Sequence, residues 1–122
     1  MPDLTQKHVV LATDLDGTFL GGTPQQKDDL YNYIEQNREW LGLVFVTGRD
    51  LDFIDEITQK DVPRPDAVIG DVGTTVVSGI DFSPIDAVET WIDERWKGAD
   101  HASRILGDAP HLKLQEGFGG RR

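Results

Sequence analysis

Two aspartates separated by a single leucine, Asp14 and Asp16 in "HVVLATDLDGTFLGG", follow directly on an apolar run. Like charges this close cost free energy unless a cation, a proton or a substrate offsets them. Metal-assisted phosphoryl transfer meets that condition, because Mg²⁺ takes a few carboxylate or carbonyl oxygens and completes its shell with waters and a substrate phosphate. In that chemistry Asp14 is expected to attack phosphorus in line and form an aspartyl-phosphate. Asp16 is expected to protonate the leaving alcohol and then take a proton from the attacking water, work that needs a carboxyl group with a raised pKa. A second polar cluster, Thr47, Gly48 and Arg49 in "LGLVFVTGRD", ends another apolar run. The Thr47 hydroxyl and the Gly48 amide suit the phosphoryl oxygens, and losing one such donor is expected to cost on the order of 3 kcal/mol of transition-state stabilisation, by analogy with oxyanion holes. Gly17 permits a sharp turn, and the backbone at Leu15 and Gly17 is expected to add phosphate-binding N–H groups.

The elements that must hold these clusters can be read from spacing. "HVVLATD" is a short β-branched run without polar alternation, which predicts a strand covered on both faces. Thr23-Pro24 reads as an N-cap followed by proline at the first helical position, opening a helix to about Glu39 with Leu30, Tyr33, Ile34 and Asn37 at helical spacing. Leu43 to Val46 predict a second buried strand, and Leu51, Ile54 and Ile57 a second helix over "DLDFIDEITQK". Ala67 to Ile69 predict a third strand after a Pro-bounded turn. Strand, helix, strand, helix, strand with short connections implies right-handed crossovers and a parallel sheet, half of a doubly wound α/β fold. Beyond Gly70, "GTTVVSGI" predicts a small hairpin. Ser83 and Pro84 open a third helix to about Lys97, "DHASRILG" a short fourth one, and Gly107 to Pro110 a turn. In open α/β sheets ligands bind beyond the carboxyl ends of the strands, so both polar clusters converge on one crevice.

Composition narrows the functional classes. The 122 residues carry 12 Lys and Arg against 22 Asp and Glu, a formal net charge of -10 that argues against a nucleic-acid partner held by a basic patch. No apolar run approaches the roughly 20 residues of a membrane span, and "MPDLTQKH" lacks the features of a secretory signal. A cytoplasmic protein with no membrane association is therefore expected. With no cysteine, disulfides and thiolate metal sites are excluded.

"DLDGT" after one hydrophobic strand and "VFVTGR" after a second resemble the first two signature motifs of the haloacid dehalogenase (HAD) superfamily of Mg²⁺-dependent phosphatases. A finer similarity, carried by "PDAVIGDVGTTV", the helix with Trp91 and Trp96, and "LKLQ" before "RR", is to the sucrose-phosphatase-like branch, which includes mannosylfructose-phosphate and glucosylglycerol-phosphate phosphatases. The resemblance implies a Rossmann-like core half, with a three-stranded parallel sheet flanked by helices plus the hairpin. It also implies Asp14 as nucleophile, Asp16 as acid/base and Thr47 as phosphate ligand. Mg²⁺ would be held by the Asp14 carboxylate and the Asp16 main-chain carbonyl, and the substrate would be a sugar phosphate. Two of the family's motifs are not found: a lysine that balances charge around the phosphate, for which Lys97 and Lys113 are misplaced, and a second acidic motif, for which Asp108 lacks the preceding apolar run. Residues 1–122 are therefore expected to form a partial core domain, without its cap and second half, inactive in this form unless those motifs are supplied. The first strand is expected to present an open apolar edge suited to self-association.

Other readings compete. A silent remnant that binds Mg²⁺ or phosphate, or an interaction module using the open edge, is the main alternative; a receiver-like phosphoacceptor is disfavoured because its acceptor does not normally precede "DGT". Thr47 also suits a helix N-cap, a role compatible with phosphate binding. For Arg49, a substrate contact and a solvated salt bridge are both open. For Asp71, at the end of the third strand, a turn role is favoured over one facing the crevice; Trp91 and Trp96 read as packing residues rather than sugar platforms, and His8, His101 and His111 as surface or structural residues without ligand spacing.

Overall fold

The computed structural model describes residues 3–113. Strands β1 (Val9–Thr13), β2 (Leu41–Val46) and β3 (Ala67–Gly70) alternate with helices α1 (Pro24–Gln36) and α2 (Leu51–Thr58), and are followed by β4 (Thr75–Ser78), α3 (Asp86–Asp93) and α4 (Ala99–Leu106). The strands form one sheet in the order β1-β2-β3-β4, with the first three parallel and β4 antiparallel to β3. The expected hairpin is thus one strand folding back on β3, which extends the parallel sheet to four strands.

The core follows from side-chain alternation. Leu41, Leu43 and Phe45 point to one face of β2 and are buried in one cluster with Leu15, Phe19, Tyr31, Ile34, Ile54, Val68 and Val77. Helix α1 begins at a full capping box, the Thr23 hydroxyl accepting from the Gln26 N–H while the Gln26 side chain accepts from the Thr23 N–H. It ends at Gln36, three residues before the expected end at Glu39, and its buried flank is Tyr31 and Ile34, whereas Leu30 and Tyr33 are exposed. Tyr31 takes the inner position because its hydroxyl reaches the Phe19 carbonyl at 2.6 Å, which satisfies the one polar atom it buries.

Two expectations fail for identifiable reasons. Strand β1 is not covered on both faces: Val9 is 49% and Val10 43% exposed, and among the described residues β1 pairs only with β2 and forms an edge. Helix α3 starts at Asp86 rather than Pro84 and stops at Asp93 rather than near Lys97. Pro84 instead sits opposite Val77 in an isolated bridge, and Ser83 hydrogen-bonds Asp81 rather than capping the helix. Trp91 and Trp96 stay exposed, with the Arg95 guanidinium 4.1 Å above the Trp91 ring, so neither is a core residue. No helix among the described residues is long and apolar enough to cross a membrane. Half of "LKLQ" and all of "GFGGRR" lie outside the described residues.

Candidate functional site

The register Thr13↔Phe45 between parallel β1 and β2 brings their carboxyl ends side by side, so the loops that start at Asp14 and Thr47 emerge next to each other. Residues 15–19 form a single wide turn in which Phe19 N–H donates to the Asp14 carbonyl at 3.2 Å and Leu20 N–H to the Leu15 carbonyl at 3.0 Å. Within it, Asp16 (φ -63°, ψ 120°) and Gly17 (φ 74°, ψ -1°) occupy the two central positions of a type II turn. The second of these requires positive φ, which is why glycine stands at 17. Leu15 points inward and is fully buried, while Asp14, Asp16, Gly17 and Thr18 are exposed. The leucine between the aspartates therefore anchors the turn in the core and leaves both carboxylates outside it.

The two carboxylates have different surroundings. The Thr18 hydroxyl donates to Asp14 Oδ2 at 3.0 Å, an interaction that an i,i+4 "D…T" spacing could have flagged and that sequence reading overlooked. Asp16 meets Arg49, whose Nε and Nη2 donate to its two oxygens at 2.9 Å each. The hydrogen bond from Arg49, with its charge, holds the Asp16 carboxyl below its usual range. That is the reverse of the raised pKa expected for an acid, and the contact makes Arg49 a salt-bridge partner of Asp16 in this structure. The guanidinium also lies 4.2 Å above the Phe53 ring, which fixes its plane from the other side.

Thr47 is buried, and its hydroxyl oxygen accepts from Arg49 N–H at 3.1 Å. That leaves the hydroxyl hydrogen to donate elsewhere. Thr47 does not cap α2: Asp50 does, its carboxylate accepting from Phe53 N–H at 3.0 Å. Asp71 follows β3 directly, at φ 49°, and is buried. Its Oδ2 accepts from the Thr75 hydroxyl at 2.6 Å, whereas Oδ1 has no partner. This matches the turn role read for Asp71. Its N–H donates to the Arg49 carbonyl and that of Val72 to the Thr47 carbonyl, so the turn after β3 braces the loop after β2. A cavity of about 250 Å³ bounded by Leu20, Tyr31, Ile57 and Val62 includes none of these loop residues.

For Mg²⁺ the relevant observation is the donor set. Among the described residues no group of three or more His, Asp or Glu side chains gathers, so the oxygens of Asp14 and Asp16 are what the loops offer. That fits an ion which commonly takes one or two carboxylates and fills its shell with waters and substrate phosphate.

The chain is similar to several known proteins. The chain is 41% identical over 99 residues to a glucosylglycerol-phosphate synthase of Pseudomonas anguilliseptica, covering 80% of this chain and 13% of that one. It is 31% identical over 121 residues to an HAD-like hydrolase of Nitrosococcus oceani, covering 91% and 32%. The sucrose-phosphatase of Synechocystis sp. PCC6803, solved with sucrose and phosphate, superposes with a TM-score of 0.75 at 22% identity, over 91% of this chain and 44% of that one. The haloacid dehalogenase-like yhjK of Bacillus subtilis gives 0.61 at 19% identity, over 81% and 39%. The chain thus spans less than half the length of each of these relatives. The family model for sucrose-6F-phosphate phosphohydrolase matches residues 7–119, nearly the whole chain, and with these loops in place the chain belongs to that branch of the haloacid dehalogenase superfamily.

Proposed function

We propose that the loops after β1 and β2 form the catalytic edge of a Mg²⁺-dependent phosphatase that hydrolyses a sugar phosphate. The observation that carries the reading is the parallel register of β1 and β2, which sets "DLDGT" beside "TGR" in a chain of the sucrose-phosphatase family. An Asp14 carboxylate oxygen bonds to phosphorus as the ester P–O bond breaks, and the departing alcohol takes a proton from Asp16. Water then attacks the aspartyl-phosphate, Asp16 takes a proton back, and phosphate leaves with Asp14 regenerated. The Thr47 hydroxyl and the amides of Gly48, Leu15 and Gly17 hold the phosphoryl oxygens. When bound, Mg²⁺ would be held by the Asp14 carboxylate and the Asp16 main-chain carbonyl and would supply positive charge against the phosphoryl group.

The Arg49 pair adds a requirement. Asp16 delivers a proton only after that ion pair opens, and a substrate phosphate offers Arg49 an alternative bidentate partner. Arg49 accordingly turns toward substrate during the cycle.

The test is Mg²⁺-dependent phosphate release from sugar phosphates, by this chain and by a longer protein that carries it, with Asp14→Asn as control. The substitution is expected to lower the rate by more than about a thousandfold. Activity that survives it removes Asp14 as nucleophile. A second reading, an interaction module that self-associates through β1, is favoured by the exposure of Val9 and Val10 on an edge strand. In either role we place the protein in the cytoplasm.

A further inference from the structure

Residues 71–73 run through three consecutive left-handed conformations: Asp71 at φ 49°, Val72 at φ 59° and Gly73 at φ 91°. Glycine adopts this region freely and aspartate tolerates it, but for a β-branched valine it is strained. Packing does not account for the valine, because its side chain is 76% exposed. Strain of this kind, not offset by burial, points to a role in a site.

The turn is attached to the loop after β2 at two points. Val72 N–H donates to the Thr47 carbonyl at 3.3 Å, and Asp71 N–H to the Arg49 carbonyl at 3.0 Å. Between those residues stands Gly48. A β-carbon placed on Gly48 would meet Val72 Cγ2 at 3.7 Å and, its own chain neighbours aside, nothing else within 4 Å. The Val72 Cγ2 methyl therefore borders the position a Gly48 side chain would take, and its own chain neighbours aside nothing else comes within 4 Å of it.

We propose that Val72 is a specificity-determining residue: its side chain forms an apolar surface beside Gly48 against which the alcohol portion of a phosphate monoester packs. This rests on the reading of Thr47 and Gly48 as phosphate ligands. An ester whose phosphate accepts from the Gly48 amide carries its alcohol within reach of these methyl groups. Sugar rings present C–H faces suited to such a surface, whereas inorganic phosphate has nothing to place there. The brace through the Thr47 and Arg49 carbonyls keeps this surface at a fixed distance from the phosphate donors.

Val72→Gly and Val72→Asn both suit positive φ, so each is expected to keep or raise the thermal midpoint. Binding is read in the presence of Mg²⁺ by calorimetry and by the shift of the Gly48 amide resonance, with glucose 6-phosphate and inorganic phosphate as probes. Both variants are expected to weaken glucose 6-phosphate about fivefold, the worth of one or two methyl contacts, and to leave inorganic phosphate unchanged. Equal changes for the two probes, or none, overturn the assignment of Val72. A lowered thermal midpoint also overturns it, because the valine would then serve the fold. If the unsubstituted protein binds neither probe at Gly48, the phosphate-loop reading itself fails, an outcome distinct from failure at Val72 alone.

Discussion

The two edges of the sheet are treated in opposite ways. Along β4 the chain covers its own edge: Ser78 N–H donates to the Ser83 carbonyl, Ile85 N–H to the Val76 carbonyl, and Val76 N–H to the buried Glu89 carboxylate at 2.7 Å. Proline at 84, opposite Val77, adds a residue that cannot extend the ladder. Along β1 nothing similar happens, and Val9, Val10 and Ala12 face outward. An antiparallel edge can be closed by the residues that immediately follow it. A parallel edge strand needs a partner from a distant segment, because parallel neighbours are joined by long crossovers. Local sequence thus covers one edge and, among the described residues, leaves the other uncovered.

The sharpest way to break the closed edge is at Gly79, where β4 leaves the sheet. A β-carbon there would lie 1.9 Å from the Pro65 carbonyl oxygen, so Gly79→Ala must displace backbone. It is expected to destabilise by about 3 kcal/mol, measured by urea denaturation. Next, Glu89→Ala strands the Val76 N–H and is expected to cost about 2 kcal/mol, with hydrogen exchange accelerated in β4 relative to the unsubstituted protein and unchanged in β1. If exchange in β1 accelerates equally, the two edges are not independent.

At the open edge, Val10→Lys is expected to change stability by less than about 0.5 kcal/mol, because the side chain is already 43% exposed. It should abolish any concentration-dependent dimer seen by light scattering, since an edge lysine blocks strand pairing. A dimer that persists places the contact elsewhere. The smallest effect is at the carboxyl end of the same strand. Arg49→Ala is expected to return the Asp16 carboxyl toward its ordinary value of 3.8, followed by NMR titration. Because the folded pKa lies below the ordinary value, the small stabilisation from this exposed pair is complete above that value. It is lost as pH falls through the lowered one, and the substitution removes that dependence.

Much of this was legible in the chain itself. Apolar runs of strand length ending in Asp14 and Thr47, with helical spacing between them, required a βαβ unit that carries both polar loops to one end of the sheet. Gly17 marked the positive φ of the first loop, and Thr23-Pro24 marked the start of α1. These are local signals, set by backbone sterics and by hydrogen bonds within a few residues. Periodicity put Leu30 and Tyr33 beside Ile34 on one stripe of α1, whereas Ile34 is buried with Tyr31 and the other two are exposed. The outcome depended on whether a tyrosine hydroxyl could find a carbonyl across the core, which it did at Phe19.

Sequence alone determined the order of the elements, the two loops and the chemistry their residue types allow. Tertiary structure decided that β1 is an edge, that Asp50 rather than Thr47 caps α2, that Arg49 clamps Asp16 across 33 residues, and that Val72 is held in strain beside Gly48. The physical reason is common to all four. Each depends on which distant segments the sheet register brings within a few ångströms, and no spacing along the chain encodes that distance.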